Sequence, residues 1–362
     1  MKCRAGLLGV LISCLFLPLS AWCEEDLVSA EGLLVRCDRA LCKTATSRMV
    51  VETTEESVIP GDVQFPEQTW HFQLLRSNTL FRLEGEHTNN NKLQDQSDTY
   101  FLSTIDDHAS VDYRVRNGEE APQGASFSSN IEQAQQYCVY GTSYGFWLDG
   151  MIGFTGTDNI AAYLMKAGAC SLEPDEVIDG ISCKVIAAKT PYGTFRLWLD
   201  PAVECLFRKI EIHKGPSDKG KPRSDDAFTE VDICLDQITI DSVQGSPLLT
   251  AGTYSWEGTE KGGGLVQCKV TARRSDIDLS PAFHEKDFVS ELPAGTDIIN
   301  LDDRDSGVQY VWDGKKPVAG YASLFGSPQR FAGNYLRLIL MAVGFALILI
   351  SVSIKIRKRR FS

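Results

Sequence analysis

Period-two alternation of apolar and polar residues is most regular in Asp179–His213. Ile181, Cys183, Val185 and Ala187 alternate with Ser182, Lys184 and Ile186. After the turn Thr190-Pro191-Tyr192-Gly193, Phe195, Leu197 and Leu199 alternate with Thr194, Arg196 and Trp198. After Asp200-Pro201, Leu206, Ile210 and Ile212 alternate with Phe207, Lys209 and Glu211. Alternation broken by Pro/Gly and Asp-Pro turns predicts an antiparallel meander with one buried face.

The same pattern predicts strands over Thr46–Glu55, Thr69–Leu75, Thr79–Glu86, Thr99–Ile105, Ser110–Arg116, Phe228–Ile240 and Leu265–Arg273. In Phe228–Ile240 the apolar residues change parity between Leu235 and Ile238, which predicts a bulge near Asp236-Gln237. Helical spacing appears in Glu25–Cys42, where Leu27, Leu34, Cys37, Ala40 and Leu41 share a face. Asn159–Ala169 reads as a short apolar helix capped by Asp158. Asn117–Ser129 reads as a loop, and Leu292–Lys316 as a small hairpin unit.

The order Asp179-Gly180, strand, Tyr-Gly turn, Leu-Trp-Leu-Asp-Pro and Phe-Arg-Lys strand resembles the meander of the bacterial lipoprotein-carrier (LolA/LolB-like) superfamily, in particular its exported, poorly characterised branch. The resemblance spans about Glu24–Lys316 and is sharp only over Asp179–Ile212. It implies a mainly β, α+β fold: a strongly curved antiparallel sheet, a partial barrel with short helices over its open face, holding something apolar. Aromatic-rich Ala134–Phe154 and the helix Asn159–Ala169 would form the cover. On the concave side the apolar stripes of the strands converge. Trp70, Phe72, Leu74, Phe81, Leu83, Tyr113, Phe195 and Leu197, with Trp147 from the cover, are therefore the candidate ligand-binding residues.

The two ends of the chain add a membrane. Met1–Cys23 has a basic start, an apolar run from Ala5 to Leu19 and small residues at Ser20-Ala21, the build of a secretory signal peptide. Leu338–Ile354 carries no charge and is followed by Lys355-Ile356-Arg357-Lys358-Arg359-Arg360. At about 1.5 Å per residue that run spans about 25 Å, enough for a bilayer once the flanking cations snorkel. The basic residues after it predict a cytoplasmic C-terminus. The expected organisation is a signal peptide (1–23), a curved-sheet domain (24–290), a hairpin extension and linker (291–329), a transmembrane helix (335–354) and a basic tail (355–362). The main domain would be extracytoplasmic (periplasmic) on a single-pass anchor.

Charge and cysteine content sharpen this. The net charge is −12, and eight of the 36 basic residues lie at the two ends, so residues 24–335 carry −20. Such a surface repels phosphate backbones, and nucleic acid is not an expected partner. Eight cysteines remain after signal removal: Cys37, Cys42, Cys138, Cys170, Cys183, Cys205, Cys234 and Cys268. An even set in an exported chain predicts disulfides; plain buried thiols are the alternative. Without a CxxC, or a second pair to match Cys37 and Cys42, no zinc site is expected. No N-x-S/T sequon is present, which favours a bacterial source over a glycosylated ectodomain.

Catalytic motifs are weak. Gly141-Thr142-Ser143-Tyr144-Gly145 matches the nucleophile elbow, but Phe146–Gly156 makes a poor following helix and neither His213 nor His284 sits in a recognisable context. Asn300–Gly307 clusters acidic oxygens without the final glutamate of a calcium loop, and reads as a turn. No metal, phosphate-binding or cofactor motif remains. The expectation is a non-enzymatic, membrane-anchored binding domain for a lipid or lipoprotein acyl chain or another apolar ligand. A structural or adaptor domain with a filled core is the rival, and a Ser143 hydrolase a distant third.

Overall fold

A computed structural model describes residues 29–59, 63–64, 67–77, 80–89, 99–105, 110–116, 125–129, 144–152, 158–221, 227–288, 292–306 and 308–319. These fall into two compact units: residues 125–127 with 292–319, and the remainder up to residue 288. Strands in chain order are β1 (Thr46–Ile59), β2 (Val63–Gln64), β3 (Gln68–Ser77), β4 (Leu80–Asn89), β5 (Thr99–Ile105), β6 (Ser110–Arg116) and β7 (Ala125–Ser128). Then come β8 (Cys170–Ile178), β9 (Ile181–Thr190), β10 (Gly193–Asp200), β11 (Leu206–Lys214), β12 (Phe228–Val243), β13 (Ser246–Glu260) and β14 (Leu265–Asp278). Short strands β15 (Asp297–Asn300), β16 (Tyr310–Trp312) and β17 (Pro317–Ala319) follow. Among the described residues the α-helices are α1 (Ala30–Leu41) and α2 (Ile160–Ala167). The signal segment and residues 335–354 lie outside the described residues, and no described helix is long and apolar enough to cross a membrane.

The larger unit is mainly β. Its strands pair antiparallel in the order β8-β9-β10-β11-β12-β13-β14-β1-β3-β4-β5-β6, and the described pairings do not close into a barrel. In the smaller unit β15 runs parallel to β7 and antiparallel to β16, which pairs with β17. The Asn117–Ser129 loop expectation thus fails at Ala125–Ser128, where the partner is supplied by β15, more than 170 positions along the chain.

One face of the larger sheet is buried under α1 and α2. The helices pack on each other, and α1 also on β11. On α1 the buried stripe is Leu33, Leu34, Cys37, Ala40 and Leu41, the i, i+3, i+4, i+7 face of an amphipathic helix. Ser29 caps it by accepting from Gly32 N at 3.0 Å. The cap of α2 is Asn159, which accepts from Ala162 N at 3.0 Å; Asp158, expected in that role, pairs with Lys166 instead. Asn159 also donates to Asp38 at 2.7 Å and so ties α2 to α1.

Two expectations about parity are settled by packing. The bulge in β12 is present: register shifts between Asp236 and Thr239, with Gln237 at φ 52°, keep Leu235 and Ile238 in one core. In β9 the parity is the reverse of the expected one. Ile186 and Ala188 face the core, opposite Leu197 and Phe195, while Cys183 and Val185 lie on the outer face against Trp198. Trp198 is buried there because Arg196 covers its ring at 4.8 Å and Glu176 accepts from its indole N–H at 2.9 Å. Both faces of β9 are apolar, so alternation alone does not say which is inside.

The expected disulfides are not formed among the described residues. Cys37, Cys42, Cys170, Cys183, Cys205, Cys234 and Cys268 are free thiols, and Cys138 lies outside the description. Cys37, Cys183 and Cys205 have no exposed surface and behave as small core residues. Burial, with the Glu55 carboxylate beside it, pushes the Cys268 thiol up to about 12.

Candidate functional site

The core of the larger unit separates into two clusters on the covered face. The main one joins α1, α2, Trp147, Leu148 and Ile152 to inward residues of β9 to β14, including Phe195, Leu197 and Leu199. The second joins Met49 and Val51 of β1, Trp70, Phe72 and Leu74 of β3, and Phe81 and Leu83 of β4 to Phe146, with Tyr144 and Met151 against it. The structure therefore brings five of the expected ligand-binding residues together in one cluster, and Trp147, Phe195 and Leu197 together in the other. All eight are 0–7 % exposed. The Tyr113 side chain is outside the description.

Among the described residues the roof over both clusters is Tyr144–Ile152. Its centre is one 3-10 turn, Phe146–Asp149, bounded by Gly145 at φ 68° and Gly150 at φ 72°. Left-handed backbone at both ends suits glycine and strains other residues. The turn points Phe146 into the second cluster and Trp147 and Leu148 into the main one. Tyr144 meets Trp70 and Phe72 edge-on at 5.6 and 5.9 Å, and Phe146 lies 5.8 Å from Phe81. Gly252 of β13 makes room for Trp147: a Cβ there would stand 3.1 Å from the indole and 2.6 Å from Ile238.

One ionic cluster fastens this segment, and sequence reasoning did not anticipate it. Both carboxylate oxygens of buried Asp149 accept from Arg274 of β14 at 2.8 Å. Arg76 of β3 donates to it at 3.3 Å and the Thr44 hydroxyl at 2.8 Å. Arg274 also donates to Gly145 O at 3.3 Å. Burial alone would raise the Asp149 pKa, but Arg274 and Arg76 outweigh it and hold the carboxyl below its ordinary value. Arg274 Nε is buried and has no acceptor among the described residues.

On the opposite face the sheet forms an open trough of about 740 Å³ across β11, β12, β13, β14 and β1. Two cross-strand rows line it: His213, Asp232, Glu257, Gln267 and Val58, then Glu211, Cys234, Ser255, Lys269 and Glu56. His213, considered above as a base, pairs with Asp232 here at 2.7 Å. Ser143 lies outside the described residues. Of the acidic turn Asn300–Gly307, Asp303 accepts from the Tyr310 hydroxyl at 2.5 Å and Asn300 from Asp302 N at 3.1 Å.

No protein-family model matches the chain, and no curated protein is similar to it. Among solved structures it is similar to a DUF1329 family protein from Desulfovibrio piger, at 11 % identity over 72 % of this chain and 95 % of that one, with a TM-score of 0.41. Lipovitellin, solved for its lipid–protein interactions, aligns at 9 % identity over 66 % of this chain and 26 % of its own, with a TM-score of 0.26. The ywiB protein from Bacillus subtilis aligns at 10 % identity over 63 % and 93 %, with a TM-score of 0.16. At these scores none of the three carries an argument about this chain, whose described residues form a large antiparallel sheet with two short α-helices on its covered face.

Proposed function

We propose that the larger unit is a binding domain for an acyl chain or similar apolar ligand, taken up on the covered face of the sheet. The observation that supports this is the roof itself. A continuous apolar surface built from Trp70, Phe72, Leu74, Phe81 and Leu83 is closed, among the described residues, by Tyr144, Phe146 and Met151, from a segment with a glycine at each end of its turn. Displacing Phe146 and Trp147 would leave an apolar slot in which each buried methylene of a ligand gains about 0.8 kcal/mol. In the absence of ligand the protein's own side chains fill that slot, which accounts for its near-zero exposure.

The test is equilibrium binding of a fluorescent fatty acid to the extracytoplasmic part, residues 24–329. Saturable uptake with one site per molecule is expected. A folded domain that takes up no lipid probe would favour the second reading, a structural or adaptor domain with a permanently filled core. Full burial of the main cluster supports that reading, and the outward trough would then be its recognition surface.

The domain is further proposed to be exported and held by residues 335–354, on the strength of the uncharged run and the five cations after it. A reporter fused after Ser362 should then read as cytoplasmic and one inserted at Lys219 as exported. An exported C-terminus would remove the anchor.

A further inference from the structure

The roof segment has the chemistry of the ligand it would make way for. It presents one carboxylate, Asp149, beside three consecutive apolar side chains, Phe146, Trp147 and Leu148, which is the layout of a single-chain carboxylate amphiphile. The carboxylate sits on two arginines from the sheet, and the apolar part sits in the clusters the sheet supplies. We propose that Arg274 and Arg76 are the seat for the carboxylate of a fatty-acid-like ligand, a seat that Asp149 occupies while the roof is closed. This rests on the apolar-ligand reading above and adds the headgroup to it.

Two features of Arg274 point to a ligand and not only to a structural ion pair. Its guanidinium offers two edges to planar anions. Asp149 takes the edge formed by the two terminal nitrogens, at 2.8 Å each. On the other edge, Nε is buried without an acceptor among the described residues, in a side chain only 2 % exposed. A buried donor left unmade is costly, and a ligand carboxylate that takes Asp149's place can turn toward that side and satisfy it. Arg76 is the more open of the two, at 12 %, and its contact is the longest of those that Asp149 accepts. It is placed to pass from Asp149 to an incoming headgroup. A ligand opens the roof only by as much as it prefers the open state, so competition with Asp149 is the quantity to measure.

The experiment uses the full chain in a nonionic detergent, titrated with [1-13C]octanoate and, separately, with 1-octanol, which has the same chain and no carboxylate. Asp149→Ala removes the internal competitor. It is expected to bind octanoate at least ~10-fold more tightly than the natural chain, because the competent state no longer has to be won from Asp149. Octanol should gain less than octanoate, only what the loosened roof supplies to any apolar ligand, and adding Arg274→Gln to Asp149→Ala should abolish octanoate's extra gain. The carboxyl carbon of bound octanoate should report an ionised group down to lower pH than free octanoate. Equal binding of octanoate and octanol to every variant would overturn the arginine seat while leaving apolar binding in place. Binding of neither would remove the apolar-ligand reading itself. Should Asp149→Ala not fold, the isosteric Asp149→Asn serves: octanoate raising its melting midpoint where octanol does not supports the seat, and identical shifts count against it.

Discussion

Replacing Arg274 by Ala is expected to destabilise the larger unit by about 3–5 kcal/mol, because it strands the Asp149 carboxylate without its main partner in a buried site. Asp149→Ala should cost a similar amount by stranding two guanidinium groups. The double change, Asp149→Leu with Arg274→Met, should cost much less than the sum, since neither charge is then left buried alone. Denaturant unfolding of the natural protein, Asp149→Leu, Arg274→Met and their combination closes the cycle, and simple additivity would mean that the pair is not coupled.

The same pair sets a pH dependence of definite sign. Asp149 is held below its ordinary pKa in the folded protein, so it contributes stability that is fully present above the ordinary carboxylate range. That stability is lost as pH falls through the depressed folded value. Asp149→Asn carries no such titration. The natural protein's advantage over Asp149→Asn should therefore be constant near neutrality and shrink in acid. An advantage that grew on acidification would mean that the carboxyl is raised, and that burial outweighs the arginines.

What the sequence showed of this fold follows from how local each signal is. Strands with one apolar face, such as Gln68–Ser77 and Leu265–Asp278, are legible from period two. So is the bulge in β12, since a parity change has few other causes. The strand Ser246–Glu260 left no such mark: Thr250 and Thr253 are buried along it, and Gly252 and Gly258 stand where large side chains cross. The ionic cluster is non-local, assembled from positions 44, 76, 149 and 274. Its one local trace is at the end of β14, where the inward series Val266, Cys268, Val270 and Ala272 continues into Arg274. A cation on an inward position needs a buried partner, and that step in the pattern identifies the residue without identifying Asp149.

The roof fits closely where Trp147 crosses β13. Trp147 is 2 % exposed, packs 6.1 Å from the Tyr254 ring, and stands over a position with no side chain, Gly252. Trp147→Ala should cost about 3–5 kcal/mol, the usual range for deleting a buried aromatic side chain. Gly252→Ala pushes a methyl group against the indole and Ile238, and should cost about 1–3 kcal/mol as overpacking. Part of that clash is with the mobile end of Ile238, so rotamer adjustment there sets where in the range it falls. In the Trp147→Ala background the indole is gone, so the same methyl group enters partly vacated space. Gly252→Ala should then cost less, keeping only the part of the clash that lies with Ile238. The size of that coupling is the decisive reading: a full Gly252→Ala penalty in the absence of Trp147 would show that Ile238, and not the indole, refuses the methyl group. A roof held by shape at Gly252 and by charge at Arg274 is weakened independently at either point. Either single variant should therefore raise the fraction of open molecules, and with it the apparent affinity for an apolar probe, without touching the surface that the probe contacts on β3 and β4.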